Sequence, residues 1–489
     1  MIAELAISGV LTLSGLSILV SLRGDFRAAL AWLALPIGAV VYLLAALVLL
    51  TFTGTLDPET ALAITGATGA VGFVVSVLRR RWNAEILFWA VAIVAAVSVT
   101  VVLARTIHLT RLTPDSLRYL LFAGDMQAPD ALSEIHRADL LNRQMGLPSL
   151  HALSSLTDRR YLTSIGPLFG ISGLGFFVWL CWSAAREMST RHRLMLVLPA
   201  VLFLGSSNRL VYDSFYINTH IEVAVYMLIA VAGSWLAITT GEWRWAVPAG
   251  VALAATLVFR PESPIVVAIV LVAVGASNAN WPVRLAMMAP MVAVAALWYG
   301  VILWQNAGGG NTISLRAPVF GSLVALAGAV LVVVAGGFRR LSWLIRYADR
   351  VMLGALLLAL IALALANLDV FTSSLEAAFQ NVALSQGAWL LTWSVALVLL
   401  VVALAVHEIP IAKLWITPIL GFAITWLLLP MIREGAWRVG TGDSGNRILA
   451  HMLAVVVAFL VFAAIRSWPR AVDNETGRSV QPEVPRGVS

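Results

Sequence analysis

The stretch AEILFWAVAIVAAVSVTVVLA, residues 84–104, decides what kind of chain this is. Its 21 residues carry a single charge, Glu85, at the start. As a helix it would run about 32 Å, enough to cross a hydrocarbon layer of roughly 30 Å. Comparable runs recur along the chain, among them GVLTLSGLSILVSL (9–22) and VMLGALLLALIALALAN (351–367). Across 489 residues, 60% are hydrophobic and 12% charged, with a mean hydropathy of +0.91. A soluble globular chain does not have this composition, and the alternating signal of a transmembrane barrel is absent. The expected fold is therefore an all-α polytopic membrane protein. Spans are expected near 2–21, 29–52, 60–78, 85–104, 162–185, 194–206, 220–239, 245–259, 264–277, 285–304, 317–337, 351–366, 387–406, 412–431 and 448–465. Some of these are short, so the expectation is about 13 to 15 transmembrane helices.

The opening MIAELAIS has neither the basic start nor the small-residue cleavage site of a removed signal peptide, so the first span reads as retained. Cys181, the single cysteine, lies in an apolar span and reads as core filler. Lys413 is the only lysine among 32 basic residues. Assigning loops to alternate sides puts 19 basic residues on one side and 13 on the other, seven of the 13 in one long loop that carries little topological weight. The richer side is expected to be cytoplasmic. The N-terminus is then outside, the C-terminus inside, and the long loop extracytoplasmic.

That loop, residues 105–161, interrupts the apolar pattern with RLTPDSLRYLLFAGDMQAPDALSEIHRADLL (111–141). Thr113 can cap a helix with Pro114 in its first turn and Asp115 near the positive end of the dipole. Leu117, Leu120 and Leu121 then share an apolar face, and DALSEIHRADLLNRQMG (130–146) repeats the amphipathic pattern with Leu132, Ile135 and Leu140. Two short helices lying on the membrane surface are expected. Other loops assigned to the same side hold SSNRLVYDSFYINTHIE (206–222), FRPES (259–263), NAGGGNTISLRAP (306–318) and REGAWRVGTGDSGNRILAH (433–451). Guanidinium groups bind phosphate bidentately and stay charged, while carboxylates among them suit general-base activation of a hydroxyl. The combination points to a lipid phosphate as substrate. AGGGN (307–311) could form a lid; it lacks the lysine and following hydroxyl of a nucleotide-binding loop.

PDSLRYLL in the first large external loop, the two surface helices, RPES (260–263) at a span boundary and an arginine entering the last span in GDSGNRIL (442–449) resemble the GT-C superfamily of integral membrane glycosyltransferases. The resemblance covers roughly residues 85–467. It implies transfer of one sugar from a polyprenyl-phosphate carrier to a cell-envelope glycan, lipid or protein acceptor on the extracytoplasmic face, with inversion. It also implies an acidic base in the loop and arginines on the donor phosphate. Two differences stand out. The acidic residues Asp115, Asp125, Asp130, Glu134 and Asp139 are isolated from one another, and the loop follows the fourth span, so that residues 1–84 form an accessory set of helices before the 85–467 core. Residues 468–489 read as a disordered cytoplasmic tail.

Asp115 is the leading candidate for the base, flanked by Arg111 and Arg118, with Asp125 and Asp139 in competition. Arg447, Arg260, Arg209 and Arg118 are the candidate donor-phosphate ligands; Asp213, His220 and Glu222 are candidates for acceptor binding. No ligand spacing of a metal site is present; a divalent ion is an option if the donor is a diphosphate, but a lipid monophosphate requires none, and no other cofactor is expected. The expected partners are the lipid-linked donor, the acceptor and the bilayer, and no nucleic acid. Three other readings remain open. They are a lipid-linked sugar flippase or transporter, an enzyme of the O-antigen polymerase or ligase type, and a non-catalytic membrane scaffold.

Overall fold

In hydrocarbon every backbone N–H and C=O must find a partner within the chain, and a continuous apolar run does so as a helix. The structure, a computed structural model, describes residues 1–489 except 23–26, 108–109, 111, 130, 132–136, 308–315, 407–412, 434 and 469–489. The described residues are mostly helical and contain no β-strand. The protein is an all-α polytopic membrane protein. Eleven helices are long and apolar enough to cross a membrane, or twelve if one bent pair counts as a span. The helices Trp243–Leu257, Ser263–Gly275 and Thr392–Val406 are shorter than that test requires. They fall on three of the expected spans, and this is where the wider expected count comes from.

The first four spans are α1 (Ile2–Leu22), α2 (Arg27–Thr53), α3 (Pro58–Leu78) and α4 (Ala84–Ile107). Small residues let α1, α2 and α3 approach backbone to backbone, as membrane helices commonly do. A Cβ on Gly15 would lie 1.9 Å from the Ala34 carbonyl oxygen, and one on Gly38 only 1.7 Å from that of Leu11. Helix α2 also reaches the later helices: the Tyr42 hydroxyl donates to the Ser149 carbonyl at 3.0 Å, and the Tyr226 hydroxyl to that of Pro36 at 3.1 Å. Buried Glu4 on α1 accepts from Arg105, Thr163 and Ser164.

Between α4 and the next span lie α5 (Pro114–Asp125), α6 (Arg137–Arg143) and α7 (Gly146–Ala152). Thr113 caps α5, its hydroxyl oxygen accepting from Ser116 N, and Leu117 and Leu121 are exposed while Tyr119 and Phe122 are buried. The amphipathic face expected here is therefore present. Of the second surface helix, α6 is described, whereas Leu132 and Ile135 lie outside the described residues. So do the 308–311 portion of the glycine-rich stretch and the 469–489 portion of the tail. Gly146 is required where it stands: its N–H donates to the Val258 carbonyl at 2.6 Å, and a Cβ would meet the Phe259 ring at 2.8 Å. This contact ties the loop to the segment that carries Arg260.

The remaining elements that build the site are α8 (Ile165–Ala184), α9 (Thr190–Gly205), α10 (Asn208–Phe215), α11 (His220–Thr240), α12 (Trp281–Asn306), α13 (Leu368–Val382), α14 (Lys413–Ile432), α15 (Ser444–Ile448) and α16 (Ala450–Ser467). Helices α9 and α10 are bent by 56° at Ser206 and Ser207. In α12, residues Ala296–Leu303 are wound in wide turns of the i to i+5 type, a local loosening that recurs at functional sites. No span is expected over 367–386, and α13 there is an amphipathic helix exposing Leu368, Leu375 and Phe379.

Candidate functional site

Asp115 stands in the first turn of α5, held there by the Thr113 cap. Two arginines distant in sequence reach it. Arg143 Nη2 donates to Oδ1 and Arg447 Nη2 to Oδ2, both at 3.0 Å. Each oxygen thus has its own guanidinium, a charge-assisted arrangement. Burial pushes the Asp115 carboxyl up, but the charges of Arg447 and Arg143 outweigh it and hold the group below its ordinary 3.8. The carboxylate is ionised at neutral pH.

A second ring of contacts fixes the arginines. Arg447 Nη1 donates to the Tyr216 hydroxyl at 3.2 Å, and that hydroxyl shares a 2.7 Å hydrogen bond with Thr113. The Arg143 guanidinium lies over the Tyr119 ring, 5.2 Å from its centroid. Beside them, Arg260 Nε donates to Glu262 Oε1 at 2.8 Å. Burial pushes the Glu262 carboxyl up, and Arg260 overcomes this and brings it down to about 2.

These groups border a cavity of about 210 Å³ lined by Asp115, Tyr119, Asn142, Arg143, Asn218, His220, Arg260, Arg433, Ser444 and Arg447. Its wall carries four guanidiniums against one carboxylate, so it favours an anion over a metal cation. Ligand pockets usually measure roughly 300–1,000 Å³, which makes this one suited to a head group rather than to a whole lipid. Nε of Arg143 and of Arg447 is buried and has no partner among the described residues, so each fork carries one unmet donor. Among the described residues no group of three or more His, Cys, Asp and Glu could hold a metal ion.

The structure separates the expected site residues into groups. Asp115, Arg447, Arg260 and His220 meet at the cavity. His220 Nδ1 lies 2.9 Å from His451 Nε2 with the rings stacked. Arg209 is buried and does not line the cavity, donating to Asp213 Oδ2 at 3.3 Å and to the Thr441 carbonyl at 2.7 Å. Asp213 is therefore its ion-pair partner. Glu222 lines a separate space of about 10 Å³ with His151 and Thr163, room for about one water molecule. Arg118 is on the exposed side of α5, and Asp115 is paired with Arg143 and Arg447 instead of Arg118. Asp125 ends α5, ten residues or about 15 Å along the axis from Asp115, and is exposed. Arg111, Asp130 and Glu134 lie outside the described residues, as does the side chain of Asp139.

Sequence reasoning missed Arg143, Tyr216, Asn218, Arg433 and His451. A readable signal existed for His451, which follows Arg447 by four residues and so falls on the same helical face. Arg143 offered only its place at the end of a surface helix.

Two carboxamides stand next to the paired arginines. Trp298, on the wide turns of α12, donates its indole N–H to Gln144 Oε1, and Gln144 Nε2 donates to the Leu141 carbonyl at 2.6 Å. Trp389 likewise donates to Asn446 Oδ1, and Asn446 Nδ2 donates to the Gly387 carbonyl at 2.8 Å. A Cβ on Gly387 would lie 2.3 Å from that same Oδ1. Helix α15 is further held by the Asp443 cap, which accepts from Asn446 N at 3.0 Å, and by Trp426, which donates to the Gly445 carbonyl at 2.7 Å. Backbone strain accompanies both clamps, with φ at +54° in Gln144, +61° in Ser385, +65° in Ala388 and +51° in Leu390. The left-handed region costs a non-glycine residue roughly 1–2 kcal/mol. The chain matches no family model, no curated protein and no solved structure at a significant level, so the geometry around Asp115 carries the functional argument.

Proposed function

We propose that the protein is a membrane glycosyltransferase of the GT-C kind, moving a single sugar from a polyprenyl-phosphate carrier to an acceptor on the extracytoplasmic face. The observation that carries this reading is the Asp115 carboxylate shared between Arg143 and Arg447 in a cavity with two further guanidiniums, Arg260 and Arg433. A carrier phosphate entering the cavity competes with Asp115 for those forks, since each is an anion that presents a pair of oxygens to a guanidinium. As the forks move to the phosphate, Asp115 loses the charges that depress its basicity and can accept a proton.

The acceptor hydroxyl oxygen then attacks the anomeric carbon in line. Its proton passes to Asp115, the new C–O bond forms, and the bond to the carrier oxygen breaks with its electron pair leaving on the phosphate. Guanidiniums already facing that phosphate stabilise the charge it gains. A single displacement inverts the anomeric configuration, and no metal is required in this scheme. The acceptor is a cell-envelope glycan, lipid or protein hydroxyl, with His220 and Asn218 on the cavity wall as the groups nearest to hand. The long loop faces outside, with the N-terminus outside and the C-terminus in the cytoplasm, in accord with the asymmetry of basic loops.

The test is purified protein in nanodiscs with a panel of radiolabelled polyprenyl-phosphate sugars. Sugar moved to a hydroxyl acceptor with free polyprenyl phosphate as the second product supports the reading. Movement of intact lipid-linked sugar between leaflets of a proteoliposome, without that product, would assign a flippase. Joining of lipid-linked oligosaccharides would assign a polymerase or ligase.

A further inference from the structure

We propose that Gln144 and Asn446 are positioning residues, each locked by a buried indole N–H, that aim the Arg143 and Arg447 forks at the single point occupied by the Asp115 carboxylate. The inference rests on the reading of this cavity as the anion-binding site. Its basis is a repeated arrangement on two unrelated segments. In each, the residue adjoining a fork carries a carboxamide whose oxygen accepts from tryptophan and whose nitrogen donates to a backbone carbonyl. An indole N–H is a donor only, so it selects the oxygen end of the amide and fixes its orientation. Both amides and both indoles are fully buried or nearly so.

Such pairing is not automatic in this chain. The buried indole nitrogens of Trp393, Trp415 and Trp437 have no partner among the described residues, although an unmet buried donor is costly. Two of the indoles that are paired are the two beside the forks. Three other features agree. The wide turns of α12 carry Trp298; Gln144 keeps a left-handed backbone without being glycine; and the 383–391 segment holds three more left-handed residues where it closes on Asn446. Strained backbone persists where the surroundings over-determine it, which is typical of functional sites. An arginine side chain has several free torsions, and tethering its neighbour limits the directions from which the guanidinium can approach.

The test replaces Trp389, and separately Trp298, by β-(benzothien-3-yl)alanine, which keeps the ring and lacks the N–H, with Trp→Phe as a second variant. Titration of the Asp115 carboxyl is followed by infrared difference spectroscopy of protein with isotope-labelled aspartate in nanodiscs, the band being assigned with Asp115→Asn. The groups facing it are Arg143, Arg447, Arg260, Arg433, Tyr119 and His220. Loosening one fork should raise the midpoint by about one unit, the low end of what a neighbouring guanidinium exerts on a carboxylate. In an Arg447→Ala background the Trp389 change should add nothing further, and in Arg143→Ala the same holds for Trp298. A midpoint that does not move in either indole variant overturns the proposal, as does a shift that persists undiminished without the arginine. Affinity for polyprenyl monophosphate is measured alongside. If the wild-type protein does not bind that lipid, the glycosyltransferase reading fails while the titration still decides the positioning role.

Discussion

Arg447→Ala should weaken binding of a polyprenyl monophosphate by roughly ten- to a hundredfold. Arg447 is buried at the start of the last span and makes one charge-assisted contact to Asp115 at 3.0 Å and one to Tyr216 at 3.2 Å. Transferred to a phosphate oxygen, a contact of this kind contributes about 1.5–3 kcal/mol, and each 1.4 kcal/mol or so is tenfold in affinity. The lower part of the range is expected, because the wild-type fork must first give up Asp115, whereas in the variant that carboxylate, 33% exposed, rehydrates in part. Arg447→Lys keeps the charge and loses the fork, and should fall between the two. Scintillation proximity binding with labelled polyprenyl phosphate in nanodiscs measures this directly. A dissociation constant for Arg447→Ala within about threefold of wild type, roughly 0.6 kcal/mol, would refute the placement of the phosphate at this fork.

Four further outcomes follow from the site and the fold around it. Glu262→Gln removes the partner of buried Arg260 and leaves an uncompensated charge, so thermal unfolding in detergent should show a loss of about 3–5 kcal/mol. The Asp115 carboxyl is depressed below 3.8 in the folded protein. Its contribution to stability is thus complete above the ordinary value and is lost only as pH falls through the folded one; lipid-phosphate binding should stay flat from neutral pH to about pH 4 and tighten below as the competing carboxylate is protonated, while a midpoint near 6 would contradict the double arginine pairing. Ala388→Gly, at φ +65°, should be neutral or stabilise by up to about 1 kcal/mol, whereas Ala377→Gly inside α13 should cost about 1 kcal/mol. Finally, with Cys181 buried, Ser155→Cys should react with an impermeant thiol reagent in intact cells and Ser189→Cys should not. The reverse labelling would place the Asp115 loop on the wrong side for a carrier-lipid transferase.

The fold was legible because hydrocarbon leaves few options: an apolar run such as 84–104 must become a helix, and helix α4 occupies Ala84–Ile107. The amphipathic face of α5 and the Thr113 cap were legible for local reasons, since both depend on residues within one turn or two. The partners of Asp115 were not. Sequence proximity suggested Arg118 and Arg111, but Arg118 points to the exposed side, and the forks come from residues 28 and 332 positions away. Only the fold, which sets the arginines of α6 and α15 beside the first turn of α5, brings them together. Arg209 and Asp213 looked like two separate binding groups and are one buried ion pair, spaced i to i+4 on a helix whose start was hidden by the bend at Ser206 and Ser207. The indole clamps were invisible for a similar reason: Trp298 and Gln144 are 154 residues apart, and apolar context makes any tryptophan read as an anchor.

The central claim, that Asp115 is the base of a sugar transfer, is tested most directly by Asp115→Asn. Asparagine has nearly the size and shape of aspartate but is no useful base. The account predicts that this variant folds, binds polyprenyl monophosphate at least as tightly as wild type because the competing carboxylate is gone, and transfers sugar from the labelled donor at least about a hundredfold more slowly. Transfer at a near-normal rate by a folded Asp115→Asn protein would contradict it.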